Sequence, residues 1–247
     1  PEEAKALGFE SIPLCVNIGD FEGRDLLIDM NDYYDKIRKG GIPKSSQPPI
    51  GEVFDMYEKY EKYEDSEIIN IAMADGLSGT YQAACSAAEM VEHKDKITVF
   101  NSMTLCGPHR YMVEKAQQMK LQGKTKKEIL DWLEKVKSKT ESFLIPQDFG
   151  FLKRGGRLAP MTANIGSVLK LKPIMSLTED CRQLKIFGIK RTMSSAVGTI
   201  IEHWKKKCLD ARHILYVVHA NVPEEAKMVA QRMKEAFPAM DIEIYPI

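Results

Sequence analysis

The sequence predicts an α/β protein of two domains. Residues 1–140 are expected to form a parallel three-layer α/β domain, and residues 141–247 an α/β domain with a mixed or antiparallel sheet. In the first region strand-like apolar runs alternate with amphipathic helical segments, which is typical of parallel crossover units. In the second region two strand-like runs flank Glu179-Asp180 and predict a hairpin, which a continuing parallel sheet does not contain. The length of 247 residues suits two domains of ordinary size.

The elements of the first region follow from hydrophobic periodicity and from helix start and stop signals. Tyr33 and Ile37 have helical spacing, and Gly40 ends that helix. Thr125 and Glu128 have the spacing of a capping box, which marks a helix start. In order, the pattern predicts a strand at 9–17, a helix from Asp29 to Gly40, a loop at 41–49, a helix with Val53, Phe54 and Tyr57 on one face, a strand at 67–73, an alanine-rich helix ending near His93, a strand at 97–100, and helices at 108–122 and 125–138.

The second region has a different pattern of elements, in which several short strands precede a long helix. Pro223 is expected in the first turn of the last helix, where its missing N–H costs nothing. In order, the pattern predicts a strand at 143–146, a glycine-hinged basic turn at 153–157, a short helix at 163–169, hairpin strands at 172–177 and 183–189, a helix at 192–207, a strand at 214–220 and a helix from Pro223.

Composition excludes several classes of function. The 35 Lys and Arg residues balance the 35 Asp and Glu residues, and 44% of the chain is hydrophobic, which is typical of a globular protein with a sizeable core. A nucleic-acid partner is not expected, because neutralising phosphates needs a clustered basic excess. The longest runs without a charged side chain, such as 76–88, are shorter than the ~20 apolar residues that span a bilayer, so we expect no integral membrane segment.

The cysteines indicate a reducing compartment. There are five of them, and neighbouring ones lie at least 21 positions apart, which fits neither a disulfide framework nor CxxC metal chemistry. We therefore expect a cytoplasmic protein without a metal or cofactor. The sequence opens with Pro1 and not with Met, which is consistent with a start inside a longer chain.

Two serine-bearing segments stand where helices are about to begin. They are Ser45-Ser46-Gln47-Pro48 and Ser78-Gly79-Thr80. The free N–H groups and the positive dipole end of a helix N-terminus favour an anion, and small residues let that anion approach the backbone. The alternative interpretation is structural: the serines cap the helices and Gly79 only forms a turn. Spacing alone leaves both interpretations open.

A third segment, Lys153-Arg154-Gly155-Gly156-Arg157, offers three cations around a glycine pair. Such a turn could receive a phosphate or an acidic surface, although a solvated charge cluster is the common explanation for it.

Other chemistries are weakly supported. There is no GxxxxGK[ST] phosphate loop, the histidines lack metal-ligand spacing, and a GxSxG elbow around Ser78 would need glycine at position 80.

Four motifs in the same order resemble those of the DegV family of bacterial fatty-acid-binding proteins. The resemblance extends over nearly the whole chain, and Ser45 stands where the family usually has threonine. The motifs are Ser45-Ser46-Gln47-Pro48, Gly76-Leu77-Ser78-Gly79-Thr80-Tyr81-Gln82-Ala83-Ala84, Leu152-Lys153-Arg154-Gly155-Gly156-Arg157-Leu158 and Leu171-Lys172-Pro173-Ile174.

The resemblance implies a carrier rather than an enzyme. Such a protein sequesters one long-chain fatty acid, with its carboxylate near the domain junction and its acyl tail enclosed by residues 141–247. In one branch of the family, the carboxylate is presented to a separate ATP-dependent fatty-acid kinase that makes acyl-phosphate for phospholipid synthesis. By motif, the residues implied to bind the carboxylate are Ser45, Ser46, Ser78, Gly79 and Thr80, and those implied to face the kinase or the phosphate are Lys153, Arg154 and Arg157.

Two other functions remain open on the sequence. A serine-dependent lipid hydrolase would use Ser78 with His219, although no hydrolase elbow supports it. A relative of the dihydroxyacetone-kinase substrate domains would hold its ligand through histidine and would have a small polar pocket in place of an apolar channel.

Overall fold

A computed structural model describes residues 2–25, 27–160 and 171–247, and its backbone divides into two units. One unit runs to Leu105 and resumes over His109–Thr140. The other comprises Cys106–Pro108 and Glu141–Ile247. Both contain helices and sheets, and both parallel and antiparallel strand pairs occur, which confirms the predicted α/β class. The predicted helix at 163–169 lies outside the described residues.

The elements of the first unit, in chain order, are α1 (Glu2–Ala6), β1 (Cys15–Ile18), β2 (Phe21–Arg24), α2 (Met30–Arg38), β3 (Pro43–Ser46), α3 (Ile50–Glu61), β4 (Ile68–Ala72), α4 (Thr80–Ala88), a 3₁₀ turn (Lys94–Lys96), β5 (Ile97–Asn101), α5 (Cys106–Leu121, whose first three residues group with the second unit) and α6 (Lys126–Lys137). Those of the second unit are β6 (Phe143–Leu144), α7 (Phe149–Arg154), β7 (Lys172–Leu177), β8 (Leu184–Lys190), α8 (Met193–Lys205), β9 (Ile214–His219), α9 (Pro223–Ala236) and β10 (Asp241–Pro246).

Several helices begin where their capping residues predict. The capping box of α6 is present: Thr125 Oγ1 accepts a hydrogen bond from the Glu128 N–H, and Glu128 Oε2 accepts one from the Thr125 N–H at 2.9 Å. Asp29 accepts hydrogen bonds from two amides in the first turn of α2. Pro223 is the first residue of α9, as expected.

The first unit contains two small sheets. In one, β4 and β5 pair in parallel, with α4 between them in the chain, which confirms a parallel crossover unit. In the other, β1 pairs antiparallel with both β2 and β3. The predicted loop at 41–49 therefore contains a strand, β3, and the predicted strand at 9–17 is shorter, since β1 begins only at Cys15. The polar sequence of β3 has no strand pattern, and its conformation follows from pairing with β1.

The alanine-rich sequence of α4 allows it to pack closely on α3. Ala84 and Ala87 are buried against Val53 and Tyr57 of α3. The Tyr57 hydroxyl accepts a hydrogen bond of 2.8 Å from Asn70 of β4, and burial raises the pKa of Tyr57 to about 12. This packing fixes the direction of α4 relative to β4 and thereby sets the position of the loop between them.

The described residues of the second unit also form two sheets. β7 and β8 form the predicted hairpin, β6 pairs antiparallel with β7, and β9 and β10 are parallel. β10 was not predicted, although Ile242 and Ile244 alternate with polar residues there. The core contains Ile174 of β7, Val197 and Ile200 of α8, and Met233 of α9. None of the helices in the described part of the chain is both long enough and apolar enough to cross a membrane.

The start of the second unit is tied to α8 by one carboxylate. Glu141 accepts hydrogen bonds from His203 Nε2 at 2.9 Å, Trp204 Nε1 at 2.7 Å and Lys207 Nζ at 3.0 Å. These donors outweigh the effect of partial burial and hold the pKa of Glu141 below its usual value. The first residues after the unit boundary are therefore held in place.

The capping box of α6 gives a stability test. Thr125→Ala removes the hydroxyl that accepts from the Glu128 N–H, and we expect the free energy of unfolding to fall by about 1 kcal/mol. Thr199→Ala is the matched control, because Thr199 lies inside α8 and its hydroxyl only bonds back to the Ser195 carbonyl. Urea unfolding measures both variants, and equal losses would contradict the capping assignment.

Candidate functional site

The segment between β4 and α4 carries the first predicted site. The amides of Leu77 and Ser78 both donate to the Ala74 carbonyl, which forms a tight turn. Ser78 Oγ then lies 2.8 Å from Thr80 Oγ1 and accepts a hydrogen bond of 3.3 Å from the Thr80 N–H. Gly79 is the residue that precedes the first turn of α4. Two hydroxyls and the small Gly79 thus meet at the start of a nine-residue helix.

The loop that follows β5 is hydrogen-bonded to this segment. The Thr104 carbonyl accepts a hydrogen bond of 2.9 Å from the Ala74 N–H, and the Ser102 N–H donates to the Ala72 carbonyl at 3.0 Å. Ser102 and Thr104 are both buried, and the Ser102 hydroxyl donates to the Thr104 carbonyl. The turn that carries Ser78 is therefore fixed to a buried part of the fold.

The second predicted segment is held by β1. In the register of the sheet Ser45 lies opposite Val16, and Ser46 lies opposite Cys15. Residues directly opposite one another share a face of the sheet, so the two serine side chains leave β3 on opposite faces. Ser46 is on the face where Arg24 Nη1 lies 2.8 Å from Cys15 Sγ.

The two segments meet at Gln47 and Gly79. A Cβ atom added to Gly79 would lie 2.6 Å from Gln47 Oε1 and 2.9 Å from Gln47 Cδ. The φ angle of Gly79 is −70°, which any residue adopts, so the backbone does not require glycine here. A side chain at residue 79 would meet the side-chain amide of Gln47, which is the end of a flexible side chain and would have to shift.

Sequence reasoning assigned no role to Gln47. The sequence does contain a signal for the direction of its side chain: a residue before proline favours an extended backbone, and Gln47 stands two positions after Ser45. The contact with Gly79 joins segments that are far apart in the chain, and no local signal predicts it.

The predicted basic segment lies in the second unit. The sequence predicted a turn here, but Lys153 and Arg154 are the last residues of the helix α7. Asp148 caps this short helix, since its carboxylate accepts a hydrogen bond from the Gly150 N–H. The Arg154 guanidinium lies 4.6 Å from the centre of the Phe151 ring. The expected glycine hinge is present at Gly156, which has a φ of 70°.

Arg157 follows that hinge and is exposed, and its guanidinium donates to the Gly155 carbonyl. The three cations belong to the second unit, whereas both serine-bearing segments belong to the first.

The histidines mostly serve structural contacts. His109 Nε2 lies 2.8 Å from the Ile71 carbonyl, which fits an N–H donated to β4, and desolvation of the ring lowers the pKa of His109. His203 contacts Glu141, and His213 contacts Asp210. No group of three or more His, Cys, Asp or Glu side chains that could hold a metal ion occurs among residues 2–25, 27–160 and 171–247. In the described residues Ser78 Oγ bonds only with Thr80, and His219 belongs to the second unit.

The fold and the site together define a two-unit α/β protein with serine-bearing loops, and comparisons with known proteins identify its family. The family model described as "Uncharacterised protein, DegV family" matches residues 1–247, and this chain belongs to the DegV family. The DegV domain-containing protein lin2658 of Listeria innocua is 30% identical over 251 residues, which cover 99% of this chain and 87% of that protein.

Two solved structures show the same fold. One is described as DegV, a fatty acid binding protein from Bacillus subtilis, and has 30% identity and a TM-score of 0.81 over 99% of this chain and 87% of that one. The other is the Fatty Acid Kinase (Fak) B3 protein of Streptococcus pneumoniae loaded with linoleic acid. It has a TM-score of 0.82 over 96% of this chain and 84% of that one, and at 20% identity this likeness concerns the fold alone.

The burial of His109 predicts a pH dependence of stability. The pKa of His109 in the folded state lies below the ordinary value of 6.5, so the unfolded chain binds the proton first as the pH falls. Its contribution is fully present above about pH 6.5 and is lost as the pH falls toward the lowered folded-state pKa.

His109→Gln keeps a donor for the Ile71 carbonyl but cannot ionise. We expect urea unfolding at pH 7, 6 and 5 to show a smaller loss of stability per pH unit for the variant than for the wild type. The difference has an upper limit of about 1.4 kcal/mol per pH unit, the value for one proton. Identical slopes would show that His109 does not titrate in this range.

Proposed function

We propose that this protein binds and sequesters one long-chain fatty acid and presents its carboxylate to a separate ATP-dependent fatty-acid kinase. The observation that carries the proposal is the contact of Gln47 with Gly79, which brings the Ser45 strand to the Ser78 loop at the start of α4. The Bacillus subtilis relative, described as a fatty acid binding protein, supports the ligand class. The description of the Streptococcus pneumoniae protein supports a kinase partner.

The headgroup chemistry of the site suits a carboxylate. An ionised carboxylate that leaves water must receive hydrogen bonds, or its desolvation cancels much of the gain from burying the tail. Ser45, Ser78 and Thr80 supply hydroxyl donors, and the N-terminus of α4 adds a positive dipole end. The motif implied that Ser46 also binds the carboxylate, but its side chain shares a face with Cys15 and not with Ser45, so we assign it no hydrogen bond to the carboxylate.

The acyl tail supplies the affinity. Burial of apolar surface contributes ~0.8 kcal/mol per CH₂, so a 16-carbon tail contributes roughly 11 kcal/mol before ordering costs. We assign the enclosure of the tail to residues 141–247. A closed apolar site also protects an acyl-phosphate, because it excludes the water that would hydrolyse it.

Positive charge is concentrated in residues 141–247, which suits contact with an anionic kinase surface or with phosphate. Residues 141–247 carry 16 Lys and Arg against 11 Asp and Glu, a net charge of +5, whereas residues 1–140 carry 19 against 24, a net charge of −5. We assign Lys153, Arg154 and Arg157 to the kinase surface or to the new phosphate, because a basic segment attracts either. The proposed carrier acts in the cytoplasm, where ATP is available to the kinase.

The ligand is tested by solvent extraction of the purified protein followed by mass spectrometry. We expect long-chain fatty acid from the wild type, and well-folded protein that carries none and binds none on addition would refute the carrier function. Ser45→Ala and Ser78→Ala are each expected to weaken binding by ~1–3 kcal/mol, about 5- to 150-fold, because a buried charged acceptor loses a donor.

Ser46→Ala is the matched control for these variants, since Ser46 neighbours Ser45 but points to the other face of the sheet. We expect it to change binding by less than about threefold, which is below 1 kcal/mol. Unchanged affinity in Ser78→Ala, with the thermal melt also unchanged, would remove Ser78 from the site.

The kinase surface is tested with Arg157→Ala in a phosphorylation assay that contains the kinase, ATP and loaded carrier. We expect fatty-acid binding to be retained and acyl-phosphate formation to fall at least fivefold, because a rim cation contributes mainly to encounter with an anionic partner. Arg182→Ala, which removes another exposed arginine of the second unit, is the control. Equal losses of binding and phosphorylation in Arg157→Ala would contradict the assignment.

A further inference from the structure

Gln47 occupies a place in the site that neither a cap nor a turn explains. Its side-chain atoms Oε1, Cδ and Nε2 would lie 2.6, 2.9 and 3.2 Å from a Cβ atom added to Gly79. The amide therefore lies flat against the backbone of the residue that opens α4. This contact joins the two serine-bearing segments of the first unit.

The backbone around Gln47 determines which serine accompanies it. β3 ends at Ser46, and the residue before a proline is disfavoured in the helical region, so we infer an extended backbone at Gln47 as well. Residues two apart on an extended chain project to the same side. Gln47 lies against Gly79 and Ser46 shares a face with Cys15, so an extended backbone at Gln47 puts Ser45 on the same side of the chain as Gln47.

The chemical type of residue 47 also matters. A glutamine amide offers two N–H donors and one acceptor without a net charge, so it can lie beside a carboxylate and donate to it. A glutamate of nearly the same shape would place a negative charge at that point, and two carboxylates in close proximity cannot both remain ionised without a large energetic penalty.

We propose that Gln47 is a positioning residue of the headgroup site, and that its uncharged amide, lying against Gly79, makes the site accept a carboxylate. This inference rests on the proposed function and deepens it, because it names the group that joins the Ser45 segment to the Ser78 loop. A side chain at residue 79 would displace the amide from this position.

The deciding experiment compares Gln47→Glu with the wild type for two lipids of equal length, palmitic acid and hexadecanol. We expect Gln47→Glu to weaken palmitate binding at least tenfold and hexadecanol binding less than twofold, since only palmitate carries a charge. Gln82→Glu is the matched control, because Gln82 is exposed in the first turn of α4 and reports the general effect of a negative charge there.

The outcomes separate the inference from the function on which it rests. Palmitate binding that is equal in the wild type and Gln47→Glu, or that falls no more than in Gln82→Glu, overturns the role of Gln47 and leaves the carrier function intact. Equal losses for palmitate and hexadecanol also overturn it, because they indicate only a disturbed fold. A wild type that binds neither lipid refutes the carrier function itself.

A second measurement needs no lipid. Gly79→Ala is expected to shift the side-chain amide signals of Gln47 in a ¹H–¹⁵N NMR spectrum and to leave those of Gln82 in place. The same variant is expected to weaken palmitate binding at least fivefold, and in a Gln47→Ala background it should add less than twofold. Gln47 signals that do not move overturn the inference whether or not the protein binds lipid.

Discussion

The proposed site depends on one small contact, the side-chain amide of Gln47 against the backbone of Gly79. Each serine-bearing segment is otherwise attached to a different sheet, one through β1 and the other through β4. Hydroxyls can act together on one headgroup only when they are held at fixed separations. In the proposed site the contact provides that constraint, and its present geometry needs a residue 79 without a side chain.

The Ser78 turn and the Ser45 strand, the two sides of the proposed site, differ in how firmly the rest of the unit holds them. The Ser78 turn is bonded to the Thr104 carbonyl, and Ser102 and Thr104 beneath it are buried, so its position is determined by the interior of the unit. The Ser45 side is a short, exposed strand that is ordered mainly by its pairing with β1. A rigid half that faces a more weakly held half is a common arrangement where a ligand must enter and be enclosed.

The sequence predicted the elements whose causes are local. The capping box at Thr125, the proline at the start of α9 and the β7–β8 hairpin are all present, because side-chain caps, a fixed proline φ and turn residues act within a few positions. β3 was not predicted, since its residues have no strand pattern and its conformation is imposed by β1. For the candidate site, the motifs predicted the residue types, but the contact of Gln47 with Gly79 joins distant segments and only the folded chain shows it.

β3 is the outer strand of its sheet, since the order is β2-β1-β3. An outer strand is attached through one ladder of backbone hydrogen bonds, so it can detach while the rest of the sheet remains paired. The cost of such a local opening is smaller than that of unfolding the unit. In the proposed carrier, sequence changes in β3 can therefore alter how quickly the headgroup site opens with little change in the global stability, so the rate of ligand exchange can evolve separately from the fold.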